Sequence, residues 1–391
     1  MRLPTRTLDH SDALILGGHD IFINFLKSAP DVEFINLQWI DYTSTVRVRT
    51  VTRKHIQSLI AAGTNVAVCR HSLCLIDKGL PFTLPDASRP VGQLFLLPDF
   101  AAVRFHPDTV AGEYAVLFCY FGTTTTLRPD LPTGPGTLNA PLCPRRALLQ
   151  AIHTASTTLD LTMRVGFELE FTAYETKPNP RRRVEAHASS GQRTLEEFML
   201  PILSRVALRL DEVGVPVEQF HAEAALCAFE LVLGHLPPME AVDGLITAKE
   251  TTRRECRREG VRMYCFPGMP NVNGLHTNIS LHRGDGRDVE EVEEHFLAGV
   301  LEHMEALCAF AMPRPESYER TQPGQWCTGR WVSWGTENRE GPVRKRSPGL
   351  WEIRLPDASA QMYLFVAGVL VAGMEGVRNK TELTVKDCQG K

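Results

Sequence analysis

The stretch Arg164-Val165-Gly166-Phe167-Glu168-Leu169-Glu170-Phe171 constrains this chain more than any other, because apolar and polar side chains alternate along it with a period of two. Read as a strand, it sets Val165, Phe167, Leu169 and Phe171 on one face and the carboxylates Glu168 and Glu170 on the other. Similar segments recur: Glu223 and Glu230 form a second pair, His276 lies in the alternating run Gly274 to Leu281, and Glu352 lies in Leu350-Trp351-Glu352-Ile353-Arg354-Leu355. Two carboxylates about 4 Å apart repel by roughly 4 kcal/mol at an effective dielectric near 20, so a shared pocket requires protons or cations. An oxygen-rich donor set suits Mg or Mn. A lone Glu-x-Glu is ordinarily a pair of solvated side chains. The recurrence of such segments argues instead for one polar pocket on one sheet.

The rest of the composition narrows the class. With 391 residues, 43% hydrophobic and 23% charged, the chain has ordinary globular composition and length for two domains or one large one. A net charge of −4 and a pI near 6.4 argue against nucleic acid as a partner and favour small molecules. The basic runs at Arg181 to Arg183 and Arg253 to Arg258 read as solvated faces. Ten cysteines without a Cys-x-x-Cys pair fit reduced thiols in a cytoplasmic protein. Met1 to His10 has no signal-peptide pattern, and the most apolar run, Met362 to Val377, is rich in Gly and Ala and reads as a buried helix rather than a membrane span.

Periodicity predicts a leading helix over Ser11 to Ser28, two strands over Phe34 to Val51, and strands at Gln93 to Pro98 and Tyr114 to Phe121. Leu127 to Pro144, rich in Pro, Gly and Thr, reads as a linker. Beyond it, helices are expected at Pro144 to Asp160, Glu196 to Val213, Met239 to Glu259, Val289 to Ala311 and Met362 to Val377. Strands are expected at Val165 to Tyr174, Phe229 to Leu233, Gly274 to Leu281 and Trp351 to Leu355. This mixture predicts an α+β fold whose curved sheet turns its polar face inward.

The motifs Gly166-Phe-Glu168-Leu-Glu170-Phe, His221-Ala-Glu223 with Phe229-Glu230, Asn273-Gly-Leu-His276, Ser333-Trp-Gly-Thr-Glu-Asn338-Arg339, Arg344 and Glu352-Ile-Arg354-Leu-Pro-Asp357 together resemble the glutamine synthetase family, nearest its fungal glutamine-synthetase-like branch. Leu97-Pro98-Asp99 and Cys143-Pro144-Arg145 resemble that family's N-terminal domain and its junction. The resemblance implies a small N-terminal β-grasp-like domain over 1–138 and a catalytic domain with a curved antiparallel sheet over 139–391. It implies an ATP-dependent ligase that forms a γ-glutamyl amide from glutamate and an amine through γ-glutamyl phosphate, using two or more Mg or Mn ions. By motif, Glu170, Glu223 and Glu230 would hold one ion, and Glu168, His276 and Glu352 another. Arg320, Arg339 and Arg354, with Asn271 and Gly274, match substrate-binding positions; Arg344, Glu218, Asn278 and Ser280 match nucleotide contacts. A homo-oligomer whose active sites are shared between subunits is also implied.

Departures from the family pattern bear on the product. Asn278 stands where bacterial-type members carry a second His, Leu226-Cys227-Ala228 replaces Pro-Gly-Gln and so argues against a glycine-permitted turn between Glu223 and Glu230, and Val272 replaces a Gly after Asn271. No Asp-Gly-Ser-Ser occurs near Cys69 to Leu73, and the flap position after Pro323-Gly324 aligns with Trp326 rather than a Glu. Without those carboxylates an organic amine is favoured over ammonia, with Trp326 and Arg339 as catalytic candidates; Trp326 packing the flap is the other reading. The family's helices beyond Val377 have no counterpart before Lys391. A catalytically altered metal-binding protein with a regulatory or scaffold role, and a ligase acting on another acid, are the competing readings.

Overall fold

The computed structural model describes residues 18–73, 92–107, 112–123, 142–177, 189–267, 273–284, 289–322 and 327–388. The chain separates into two compact units, Met1–His153 and Thr154–Lys391, and the division falls inside the helix Pro144–Leu159.

The first unit holds strands β1 (Phe34–Ile40), β2 (Val46–Thr52), β3 (Val66–Cys69), β4 (Gln93–Pro98), β5 (Arg104–Phe105) and β6 (Tyr114–Gly122). They form one sheet in the order β2-β1-β6-β4-β3, with β5 paired to β6. β1 and β6 run parallel and the other pairs antiparallel. Helix α1 (Gly18–Ser28) buries Phe22, Phe25 and Leu26; the Phe22 ring lies 5.0 Å from Phe100 and the Phe25 ring 4.9 Å from Phe105. Residues 11–17 of the expected leading helix, and 127–141 of the expected linker, lie outside the described residues. Helix α2 (Arg53–Ala61) begins at Thr52, whose hydroxyl accepts from the backbone N–H of His55. Asp99 and Arg145, each nearly inaccessible, pair at 2.8 Å, and the guanidinium lies over the Tyr120 ring at 4.4 Å. The Leu-Pro-Asp and Cys-Pro-Arg motifs are therefore two halves of one buried ion pair, the second at the start of α3 (Pro144–Leu159).

The second unit comprises β7 (Leu161–Glu175), α4 (Leu200–Glu212), β8 (Val217–Ala222), β9 (Ala228–Leu236), α5 (Pro238–Arg258), β10 (Val261–Tyr264), β11 (Leu275–Arg283), α6 (Glu290–Glu302), α7 (Met304–Ala311), β12 (Trp334–Thr336), β13 (Val343–Ser347), β14 (Leu350–Ile353) and α8 (Met362–Asn379). Its eight-stranded sheet has the order β12-β13-β14-β11-β7-β9-β8, with β10 on β7. All pairs are antiparallel except β12 with β13. Register shifts interrupt three of the pairings, and such bulges bend and twist a sheet. Val165, Phe167, Leu169 and Phe171 are fully buried on one face of β7, and α5 packs on β7 and β9. No described helix is long and apolar enough to cross a membrane.

Three local expectations change. The single helix over Val289 to Ala311 is two, parted at His303, whose backbone (φ −99°, ψ 9°) ends α6 and opens α7; neither Gly nor Pro marks the break. The helix from Glu196 enters through a wider π-type turn, Leu195–Met199. The turn between Glu223 and Glu230 keeps a left-handed residue without glycine, because Cys227 itself sits at φ 57°. After α8, residues 381–388 return to the sheet edge. Trp334 pairs in parallel with Asp387, Cys388 N–H donates to Trp334 O at 3.0 Å, and Asp387 accepts from Thr336 N–H and its hydroxyl. Asn338 Nδ2 donates to Cys388 O at 2.7 Å.

Helices α6 and α8 meet backbone to backbone. A Cβ on Gly299 would collide with the Ala372 carbonyl and lie 2.8 Å from Gly376 N, and one on Gly376 would lie 2.8 Å from Gly299 N. Gly to Ala inside an exposed helix ordinarily gains about 1 kcal/mol. Here the sign reverses: Gly299→Ala is expected to lower unfolding free energy by about 2 kcal/mol or more through overpacking, read as a lower urea midpoint at unchanged slope.

Candidate active site

The face of the sheet opposite the apolar one gathers the acidic side chains. Antiparallel register sets His276 beside Glu168, Asn278 beside Glu352, and Glu170 beside Glu230. With side chains alternating along each strand, one face receives Glu168 and Glu170 from β7, Glu230 from β9, His276 and Asn278 from β11, and Glu352 from β14. His276 Nδ1 lies 3.1 Å from Glu168 Oε2 and 3.5 Å from Glu352 Oε1, and its Nε2 lies 3.5 Å from Glu170 Oε1. Potential ligand atoms of Glu168, Glu230 and His276 all lie within 4.8 Å of one another, as do those of His221, Glu223 and Glu230. The six side chains assigned to metals by motif therefore meet in one continuous cluster, with Glu230 shared between its halves. His221 joins them although no role was assigned to it; it stands two residues before Glu223, and that spacing was the available signal.

Local backbone explains why the cluster holds its shape. Gly274 N–H donates to Glu170 Oε2 at 2.6 Å, and a Cβ there would press on the His276 ring at 2.8 Å. Ala224 N–H donates to Glu223 Oε2 at 2.8 Å, and Asn278 Nδ2 donates to Glu168 Oε1 at 3.0 Å. Glu352, with no exposure at all, accepts from Arg344 Nη1 at 2.8 Å and from Arg354 Nη1.

These contacts set the charge states. Burial pushes Glu168 up, but His276, Asn278 and Arg354 together outweigh it and bring the carboxyl down to about 2. Glu352 is likewise held below its usual range, burial being overcome by His276 and the two arginines. Glu230 goes the other way: burial raises it, and the charges of Glu168 and Glu170 add to the rise against the hydrogen bond from His221. That same bond, with Glu230 and Glu223 alongside, lifts His221 to about 9. His276 is raised because Glu170, Glu168 and Glu352 outweigh burial and Arg354. A carboxylate held back from ionising by burial and by neighbouring acids, beside imidazoles whose proton affinity is raised, marks a place where positive charge is wanted. Carboxylates and imidazole are donors that Mg or Mn accepts, so the residues present fit a divalent ion.

The remaining candidates divide. Arg354 Nε donates to Cys327 O at 3.0 Å, and Arg344 also pairs with Glu337, at the turn after β12. Arg320, 1% exposed, donates to the carbonyls of Leu355 and Arg354 at 2.7 and 3.1 Å, and its Nε has no hydrogen-bond partner. Arg339 is exposed on the turn between β12 and β13 and helps hold the Glu337 carboxyl low, an effect led by the Arg344 hydrogen bond. Ser280 Oγ lies 3.0 Å from His282 Nε2, and Glu218 Oε1 would meet a Cβ on Gly234 at 3.3 Å. Asn271 and Trp326 lie outside the described residues.

Residues 141–388 match the glutamine synthetase catalytic domain. Among curated proteins, the chain is 30% identical to Protein fluG of Emericella nidulans over 97% of its own length, though it spans only 42% of fluG. It is 31% identical to gamma-glutamylpolyamine synthetase GlnA3 of Streptomyces coelicolor, covering 90% of this chain and 77% of that one. Solved structures share the fold: a GmaS/ADP complex (TM-score 0.76, 20% identity, 94% and 84% coverage) and the Plasmodium falciparum glutamine synthetase (TM-score 0.73, 18% identity, 93% and 76%). With the catalytic-domain match running through well over half of the sequence and the motif residues gathered on one sheet face, the protein belongs to the glutamine synthetase family.

Proposed function

We propose that the protein is an ATP-dependent ligase that joins the γ-carboxylate of glutamate to an organic amine. The observation that carries this reading is the convergence of Glu168, Glu170, Glu223, Glu230, Glu352 and His276 in one cluster flanked by Arg344 and Arg354. In the proposed reaction a γ-carboxylate oxygen attacks the terminal phosphorus of ATP and ADP leaves; the amine nitrogen then attacks the acyl carbon, inorganic phosphate leaves, and the nitrogen sheds a proton. Divalent ions bound to the cluster supply neutralisation of the charge on the transferring phosphoryl group.

The chain's own residues do the positioning. Gly274 N–H and Asn278 Nδ2 fix the directions of Glu170 and Glu168. Glu352 orients Arg344 and Arg354 as planar donors toward phosphate and carboxylate oxygens. Glu352 and His276 form a buried floor beneath the cluster. Similarity to a gamma-glutamylpolyamine synthetase supports an organic amine as acceptor. Membership of the family supports a cytoplasmic setting and a homo-oligomer with shared sites as parts of the same reading.

Incubating the protein with ATP, Mg or Mn, glutamate and a panel of amines that includes a polyamine and ammonia is expected to release phosphate in step with amide, fastest with an organic amine. Release with ammonia alone would overturn the choice of acceptor. No release with any amine, while divalent ions and ATP still bind, would favour the regulatory or scaffold reading, in which Arg344 and Arg354 serve only to neutralise Glu352.

A second expectation concerns pH. His221, lifted to about 9 by Glu230, is protonated at neutral pH, and an imidazolium opposes a cation on the shared carboxylates. Mg affinity should therefore rise from pH 7 to pH 9, by at most about tenfold per unit for one proton released. Titration calorimetry in buffers of different ionisation enthalpy should show that proton. His221→Asn should flatten the slope; a flat slope in the unaltered protein would refute the coupling.

A further inference from the structure

Beyond the acid cluster, the same sheet face changes sign. Arg164 lies four residues before Glu168 on β7, about 13 Å along the strand and on the same side. Its register partner on β11 is Ser280, followed two residues on by His282. Arg346 follows Arg344 by two on β13 and extends to Asn278, donating from Nη1 to Oδ1 at 3.3 Å. His235, on β9, comes close over Gly166, where a Cβ would meet its ring at 3.1 Å. Cationic and imidazole side chains from four strands thus follow directly on the metal-type ligands.

Their charge is not offset by a direct ion pair, although the Glu337 carboxylate is near enough to feel Arg346. Arg145, Arg344 and Arg354 each pair with a carboxylate. Among the described residues no carboxylate comes within 4 Å of either the Arg164 or the Arg346 guanidinium; Arg164 donates to His235 O and Arg346 to Asn278 Oδ1. Asn278 is gripped from both sides, giving Nδ2 to Glu168 and accepting from Arg346, so its amide sets Arg346 at the border between the acidic and basic tiers. Burial lowers the His235 pKa, and Arg164, Arg346 and His282 lower it further against the lone opposing charge of Glu218, which agrees with a tier of net positive potential.

We propose that Arg346, steadied by Asn278 and backed by Arg164 and His282, is a contact for the polyphosphate tail of the nucleotide. The proposal rests on the ligase reading and adds to it. A polyanion with one end at divalent ions needs cations along its length, and a guanidinium bonded to a neutral amide keeps donors free for phosphate oxygens. Arg346 thereby brings to Asn278 the positive charge that the amide itself lacks.

The test is calorimetric binding of Mg·ATP, Mg-free tripolyphosphate and adenosine to the full chain and to Arg346→Gln and Arg164→Gln. Glutamine keeps a donor for Asn278 and removes the charge. Arg346→Gln is expected to weaken ATP and tripolyphosphate by about tenfold or more, Arg164→Gln by less, with adenosine, Mg affinity and Tm unchanged and a shallower salt dependence. Arg346→Lys should recover part of the loss. Unaltered tripolyphosphate and ATP affinity in Arg346→Gln, or no binding of either by the unsubstituted chain, overturns the proposal and leaves these groups as solvated surface charges. The two readings fail separately. ATP binding that depends on Arg346 without amide formation defeats the ligase reading alone; amide formation with an unchanged KM for ATP in Arg346→Gln defeats this one alone.

Discussion

A carboxylate with no solvent exposure must be answered by positive charge, and Glu352 is answered from three sides, by Arg344, Arg354 and His276. Isolated in the interior, that charge would cost several kcal/mol or force protonation. The arrangement of β11, β13 and β14 follows from this need. Arg344 is its register partner on β13, and Arg354 reaches it from just past the end of β14. His276 completes the ring and carries the influence of Glu352 to Glu168 and Glu170 on β7. Acids that would repel one another on a bare sheet are thereby tied into a shared network.

The network is uneven, and the unevenness has chemical meaning. Around Glu352 and Glu168 the cations prevail and the carboxylates stay ionised; around Glu230 burial and neighbouring acids prevail and ionisation is opposed. One end of the cluster is thus internally balanced while the other is short of positive charge. Glycines keep the arrangement compact where side chains would not fit, Gly274 against the His276 ring and Gly166 beneath His235.

Much of this was legible in the amino-acid sequence because strand alternation is a strong signal when one face is wholly apolar. Phe167 and Leu169 could go only into the core, which left Glu168 and Glu170 a single direction, and the strand indeed runs from Leu161 to Glu175. What escaped notice lacks that contrast. β13, Val-Arg-Lys-Arg-Ser, is polar at nearly every position, and its membership of the sheet depends on pairing and on Glu352, both nonlocal. β8, Val-Glu-Gln-Phe-His-Ala, at the sheet edge, is half-exposed, so its pattern gave His221 no role although it stood in a family motif. The short β10 and β12, and helix α2 with its basic start, were unmarked for similar reasons. Cys227 shows the opposite limit: loss of a glycine suggested loss of a turn, yet the fold imposes the left-handed backbone on another residue.

The segment 381–388 adds a mechanical link to this electrostatic one. It holds Trp334, Thr336 and Asn338 from outside, and between the last two stands Glu337, the second partner of Arg344. Tension or loosening near the chain's last described residues would therefore be transmitted, through one short turn, to the guanidinium that neutralises Glu352. A change made within residues 381–388 would thus act on the pocket through backbone and side-chain hydrogen bonds alone, with no charge of its own brought to the cluster.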